Sequence, residues 1–271
     1  MVALLPENIS TLLMKKTLQK SILSFSLLVF THAAFTQSAD SAKMVSHISG
    51  NLSLTNNGIS VIPTFTLGKP AAIFSLSMGK NRFSFDPDLR FSLSGKPWGF
   101  IFWARYQVLN KGKFRMSTGT HLGIAYSSTP LPANGDSKEE VTVAKRYLAG
   151  ELSPGYSLSK YISIGMYYMY AHGIDPGTTK NTHFVTINSS FSNIKLSNKV
   201  SLAFNPQVYY LKMDANDGCY LTAGVTVSKK QVPVSMTVFI NKTIQTNIPG
   251  SSDFLWNTTL TYSFHRKYRQ L

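Results

Sequence analysis

Residues 253–264 read DFLWNTTLTYSF. Phe254, Trp256, Thr258, Leu260, Tyr262 and Phe264 alternate with Leu255, Asn257, Thr259, Thr261 and Ser263. A period of two, with an aromatic-rich face opposite a mostly small polar one, marks a β-strand. In a soluble protein the apolar face turns to a core. In an outer-membrane barrel it turns to lipid, and aromatic residues gather at both edges of the apolar band. Trp256 and Tyr262 stand near the two ends of the run, as girdle residues do, and a closing strand that ends on an aromatic looks like the C-terminal assembly signal of bacterial barrels. The expected fold is all-β: a transmembrane antiparallel up-and-down barrel.

The beginning of the chain agrees with export. Lys15, Lys16 and Lys20 precede a short apolar run at 22–35, and Ala34-Phe35-Thr36 before Gln37 places small residues at a cleavage site, so residues 1–36 read as a signal peptide. Met14 stands directly before Lys15 and Lys16 and is a second candidate start, with 1–13 then untranslated. An anchoring helix needs roughly 18 or more apolar residues, and this run is shorter and interrupted by Ser24, Ser26, Thr31 and His32. Removing 1–36 takes away three lysines and Glu7, lowering the formal charge from +15 to +13. For an exported chain that balance points away from nucleic acid and toward lipopolysaccharide phosphates or anionic solutes. Cys219 is the single cysteine, so no intrachain disulfide can form.

From residue 59 the chain falls into runs of about ten residues, the length a tilted barrel strand needs. They are 59–68, 71–80, 83–94, 98–109, 114–128, 141–159, 161–172, 182–196, 200–213, 218–228, 233–242 and 253–264. That is about twelve strands, with ten or fourteen as alternatives. From the fifth onward, tight connections alternate with longer ones at 129–140, 173–181, 214–217 and 243–252, the pattern of short periplasmic turns and long outer loops. Residues 37–58, ending in Asn56-Asn57-Gly58, are expected to be a periplasmic or lumenal lead-in, because an added strand at 45–54 would reverse that alternation. Residues 59–264 form the barrel, and 265–271 a basic C-terminal tail.

Strand parity also assigns the interior. In FSFDPDLRFSLSGKPWGFIFWARYQV (83–108), the aromatic face goes to lipid and Asp86, Asp88 and Arg90 go inward, joined by Trp103 and Arg105 from the next strand and by Arg115, Ser117 and His121 from the one after. The lumen charge cluster is therefore Asp86, Asp88, Arg90, Arg105, Arg115 and His121. Three chemistries use such a set: ion pairs that fill a barrel, selectivity in a pore, and an acid/base or cation site built on paired carboxylates. Ser117 and His121 form the Ser and His pair on one face. His172, His183 and Asp175 surround one loop without a zinc spacing. No catalytic residue, metal or cofactor is assigned, and the chain reads more as a non-enzyme than an enzyme.

At 57–74 (NGISVIPTFTLGKPAAIF) and 95–106 (GKPWGFIFWARY) the chain resembles a group of uncharacterised, porin-like outer-membrane β-barrel proteins of Bacteroidota-type bacteria. That resemblance implies an envelope location and carries over no catalytic residues. The expected function is a narrow passive channel or a structural envelope protein of the Gram-negative outer membrane. Two alternatives stand beside it: a barrel enzyme modifying outer-membrane lipid or saccharide, and an adhesion or docking barrel using loops 129–140 and 243–252. Expected partners are outer-membrane lipid, lipopolysaccharide and the barrel-assembly machinery, the last through the C-terminal strand.

Overall fold

A computed structural model describes residues 45–130 and 140–269. Twelve strands occupy them: β1 (Val45–Thr55), β2 (Ala71–Lys80), β3 (Phe83–Ser92), β4 (Pro97–Lys111), β5 (Phe114–Pro130), β6 (Glu140–Ser157), β7 (Ile162–Gly173), β8 (Asn181–Lys195), β9 (Val200–Met213), β10 (Asn216–Lys229), β11 (Val234–Thr246) and β12 (Phe254–Arg269). Each pairs antiparallel with its neighbours in sequence, and β1 closes on β12, so the sheet is a barrel without an edge. Closure pairs each strand on both sides within the ring, which is what a hydrocarbon surrounding demands.

Side chains divide as the alternation requires. Trp256, Leu260, Tyr262 and Phe264 of β12 are about half exposed on the outer face, as are Ile164 and Met166 of β7 and Val208 of β9. Their strand neighbours point inward: Asn257 of β12 and Tyr209 of β9 are buried. A soluble protein gains nothing by exposing this much apolar surface, whereas lipid is a favourable solvent for it. Ile187, at the middle of β8 and 63% exposed, tests the point. Ile187→Arg is expected to cost about 2–4 kcal/mol when the protein is folded into a bilayer, the penalty for Arg near the midplane of a barrel. The measurement is denaturant unfolding from lipid vesicles. A cost near zero sinks the lipid-facing assignment.

The strand set differs from the sequence expectation at both ends. Residues 59–68 are not a strand, and Val45–Thr55, expected as a lead-in, is β1. Pro63 has no amide proton to give to a ladder. Its neighbours instead form a short 3-10 turn at Pro63–Phe65. β1 is hard to read because Gly50 interrupts its apolar outer face of Ile48, Leu52 and Leu54. The gap is filled from the opposite strand: Gly50 pairs with Phe264, and a Cβ on Gly50 would lie 2.7 Å from the Phe264 ring. An aromatic covering a cross-strand glycine restores the face that the glycine omits. One strand replaces the other, so the count of twelve stands. The expected alternation of loops fails at β9–β10, where the connection expected at 214–217 shrinks to 214–215, shorter than the turns at 196–199 and 230–233 on either side. At the other terminus His265–Arg269, expected in a free basic tail, extends β12 and pairs with Val45–Ser49. The expected signal peptide at 1–36 and residues 131–139 of the expected outer loop lie outside the described residues.

Candidate functional site

With β1 in place, residues 56–70 connect β1 to β2 at the barrel end that also carries the connections at 174–180 and 247–253. This first loop folds inward. The Gly58 amide donates to the Lys69 carbonyl at 2.8 Å and the Leu67 amide to the Gly58 carbonyl at 2.8 Å, which closes the neck of the loop. The Ser60 amide donates to Thr66 Oγ1 at 3.2 Å. At the tip, Ile62 and Pro63 are buried. The Phe65 ring packs edge-on to Tyr147 at 5.2 Å, and Trp98 Nε1 donates to the Phe65 carbonyl at 2.7 Å. Gly58 is where the loop crosses Trp98: a Cβ there would meet the indole at 3.2 Å. The two stretches that carry the family resemblance are thus the inward loop and the strand it docks on.

The wall that receives the loop is apolar. Met169, Phe184, Tyr209, Leu211, Met213 and Tyr220 face inward and form one buried cluster with Ile62 and Ile248. Tyr167, Phe184, Tyr209 and Tyr220 run across β7 to β10 as a ladder of rings, with centroids 5.9, 5.1 and 4.7 Å apart. Asn241 Nδ2 donates to the Tyr209 hydroxyl at 2.9 Å. Ile248 belongs to the connection at 247–253, so this stretch of the expected docking loop 243–252 also turns its apolar side chain into the lumen. The rule of polar residues inside therefore fails at this end. The loop needs an apolar surface to dock on.

Below the loop lies the charged part. Arg105 Nη1 reaches Asp86 Oδ2 at 2.8 Å and Arg105 Nε reaches Glu151 Oε1 at 2.7 Å. The Tyr167 hydroxyl donates to the other oxygen of Glu151 at 2.8 Å, and the Arg105 guanidinium lies 4.2 Å from the centre of the Trp103 ring. Arg90 Nε pairs with Asp88 Oδ1 at 2.5 Å. The Asp-Pro-Asp sequence explains how these acids are held. Between β2 and β3 the ladder is interrupted at Leu76 and Ser77, opposite Pro87 and Asp86, because proline cannot donate. Hydroxyls bridge the gap: Ser77 Oγ donates to Asp86 and Ser75 Oγ to Asp88 at 2.7 Å.

Of the six residues expected in the lumen cluster, Asp86 and Arg105 join one network and Asp88 and Arg90 form a second pair. His121 packs its ring 3.9 Å from Trp103, with Nδ1 buried and without a partner. Arg115 stands apart, donating from Nη2 to Ser157 Oγ at 3.2 Å. Glu151, whose side chain is 2% exposed, is the central acceptor and was absent from the sequence reading. Parity could have found it: it lies between Leu148 and Leu152 on the outer side and two residues from Ser153. Ser117 and His121 are four residues apart on one strand, about 13 Å at 3.3 Å per residue, so they do not make a nucleophile and base. Around the connection at 174–180, Asp175 is taken by Arg146, and that hydrogen-bonded guanidinium holds its carboxyl down to about 2. His183 instead meets the Tyr168 hydroxyl at 3.0 Å. Among the described residues no group of three metal-ligating side chains forms.

Toward the other end, the lumen is not filled. A void of about 280 Å³ with a mostly polar lining borders Gln107, Arg115, Ser117, Ser153 and Asn188, and one of about 520 Å³ with a mixed lining borders Ser49, Asn51, Ser77, Asp86, Arg105 and Phe264. The interior is thus a vestibule below a charged waist, with an apolar loop and its dock above.

No protein-family model matches the chain, and no curated protein matches it in sequence. Among solved structures it is similar to the KdgM porin in complex with disordered oligogalacturonate, at 12% sequence identity over 80% of this chain and 99% of that one, with a TM-score of 0.50. An outer membrane channel from Pseudomonas putida F1 aligns at 9% identity over 83% and 95% of the two chains, with a TM-score of 0.48. The NanC porin aligns at 9% identity over 82% and 100%, with a TM-score of 0.46. What the first of these likenesses carries at such low identity is the fold, an antiparallel barrel of the porin kind.

Proposed function

We propose that the chain is an outer-membrane barrel of a Gram-negative envelope that works as a narrow passive channel. The observation that carries this reading is the pair of voids beside the Asp86, Arg105 and Glu151 network: a barrel serving only as a scaffold has no reason to leave its lower lumen unfilled. The resemblance at 57–74 and 95–106 supports a Bacteroidota-type envelope as the setting. Export by residues 1–36, assembly through β12, and outer-membrane lipid and lipopolysaccharide as surroundings belong to the same reading.

The lumen's charges set the selectivity. Arg90 and Arg105 each face carboxylates, so their charges are largely neutralised where a solute passes. Arg115 has no carboxylate partner among the described residues and borders the smaller void. Planar-bilayer recording of the refolded protein should give small stepwise conductances with a weak preference for anions, and Arg115→Gln should reduce that preference. Protein that is folded by heat-modifiable gel migration yet gives no steps refutes the channel.

A further inference from the structure

Between the inward loop and the wall of β3 to β8 lies a cavity of about 240 Å³. It is larger than the roughly 150 Å³ apolar cavities that stay dry and take up benzene. Its walls include Trp98, Trp103, Tyr147, Phe184 and, from the loop, Ile62 and Phe65. Besides Ser60, Thr182 and the two tyrosines, two basic side chains interrupt this aromatic lining. One is His121, 8% exposed, with an Nδ1 that no protein group satisfies. The other is Arg90, whose Nε is held by Asp88 and whose guanidinium sits 5.4 Å from the centre of the Trp98 ring. Its two Nη groups have no hydrogen-bond partner among the described residues. Asp88, also bonded by Ser75, does not line the cavity.

We propose that this cavity is a binding site for a small aromatic carboxylate. A flat apolar body fits a space walled by indole and phenyl rings, where offset and edge contacts between rings add to area burial. The carboxylate takes the free edge of Arg90, since guanidinium is the group that matches a carboxylate in two parallel hydrogen bonds. His121 supplies one further polar contact at the same wall. A neutral aromatic would give up the charge-assisted pair with the Arg90 edge, which water reaches because the side chain is 27% exposed, and would leave the buried His121 Nδ1 without a partner. The site goes beyond the channel reading and does not depend on it, because binding needs only the loop in its docked position.

The test uses the chain in detergent, carrying Trp256→Phe. That change removes the outward indole and leaves Trp98 and Trp103, both cavity residues, as the only tryptophan fluorophores. Benzoate is titrated against benzyl alcohol, with calorimetry in parallel. Saturable quenching by benzoate, at least tenfold tighter than by benzyl alcohol and weakened at least tenfold by Arg90→Met, supports the proposal. Ala171→Phe, which fills the cavity from β7, should abolish quenching in protein that still shows the heat-modifiable shift. Absence of saturable benzoate binding, equal binding of the alcohol, or binding that survives both substitutions overturns it. None of these readings uses conductance, so a failed channel and a failed site are told apart.

Discussion

Replacing residues 59–67 with a short Gly-Ser linker raises single-channel conductance severalfold. The reasoning is geometric. A barrel's diameter grows with strand number, and eight strands leave an interior that side chains can fill, whereas twelve leave more than the wall residues occupy. Here the extra width at one end is taken up by Ile62, Pro63 and Phe65, which arrive from a loop and not from the wall. Deleting the loop leaves β1 and β2 paired along their full register, since their ladder ends at Thr55 and Ala71. The barrel should therefore still fold, and gel migration checks that it does. A milder change gives a graded result. Trp98→Phe removes the hydrogen bond to the Phe65 carbonyl, about 0.5–1.5 kcal/mol, and should produce flickering between two conductance levels as the loop leaves its dock. Unchanged conductance in the loopless chain would mean that the restriction lies lower, at the charged waist, and would remove the loop from the permeation path.

The expected architecture was legible because a barrel writes itself as a period of two, and β7 to β12 carry that period with few interruptions. Where it failed, the cause was a residue acting across strands. Gly50 reads as a break until Phe264 is known to cover it, and no local pattern discloses that partner. Pro63 reads as one flaw in an alternating run, although alternation also serves a loop that packs one side on the lumen. The interior was half legible. Asp86, Asp88, Arg90 and Arg105 follow from parity on adjacent strands. The apolar dock does not, since Met169, Leu211 and Met213 look like ordinary strand residues until the loop that covers them is seen. The runs at 167–171 (YYMYA) and 209–213 (YYLKM) did hold a signal: they are rich in apolar residues on both faces, which a lipid-facing strand over a wet lumen does not need.

Glu151→Leu is expected to destabilise the folded barrel by about 2–3 kcal/mol, toward the lower end of what breaking a buried pair costs. The Glu151 side chain is 2% exposed and accepts from both Arg105 and Tyr167. Its loss strands the Tyr167 hydroxyl and leaves Arg105 with Asp86 alone. Two features keep the cost below the upper end of the range: Arg105 is 33% exposed, so water screens it, and its bond to Asp86 persists. Glu151→Gln retains shape and an acceptor, and should cost about 1 kcal/mol, the worth of a typical hydrogen bond. The decisive comparison is Arg105→Met with Glu151→Leu. Replacing both partners by apolar groups removes the Arg105 charge but leaves Asp86, 15% exposed, to the Ser77 and Ser84 hydroxyls. The double substitution should therefore recover only part of the loss, with a coupling energy of about 0.5–3 kcal/mol between contacting residues. Denaturant unfolding in vesicles measures all four proteins of the cycle. If Glu151→Leu costs under about 0.5 kcal/mol, as a typical surface substitution does, the waist is a solvated selectivity element and not a tie across the lumen. In that case the same substitution should shift the anion preference strongly upward, because an unneutralised Arg105 would then face the passing solute.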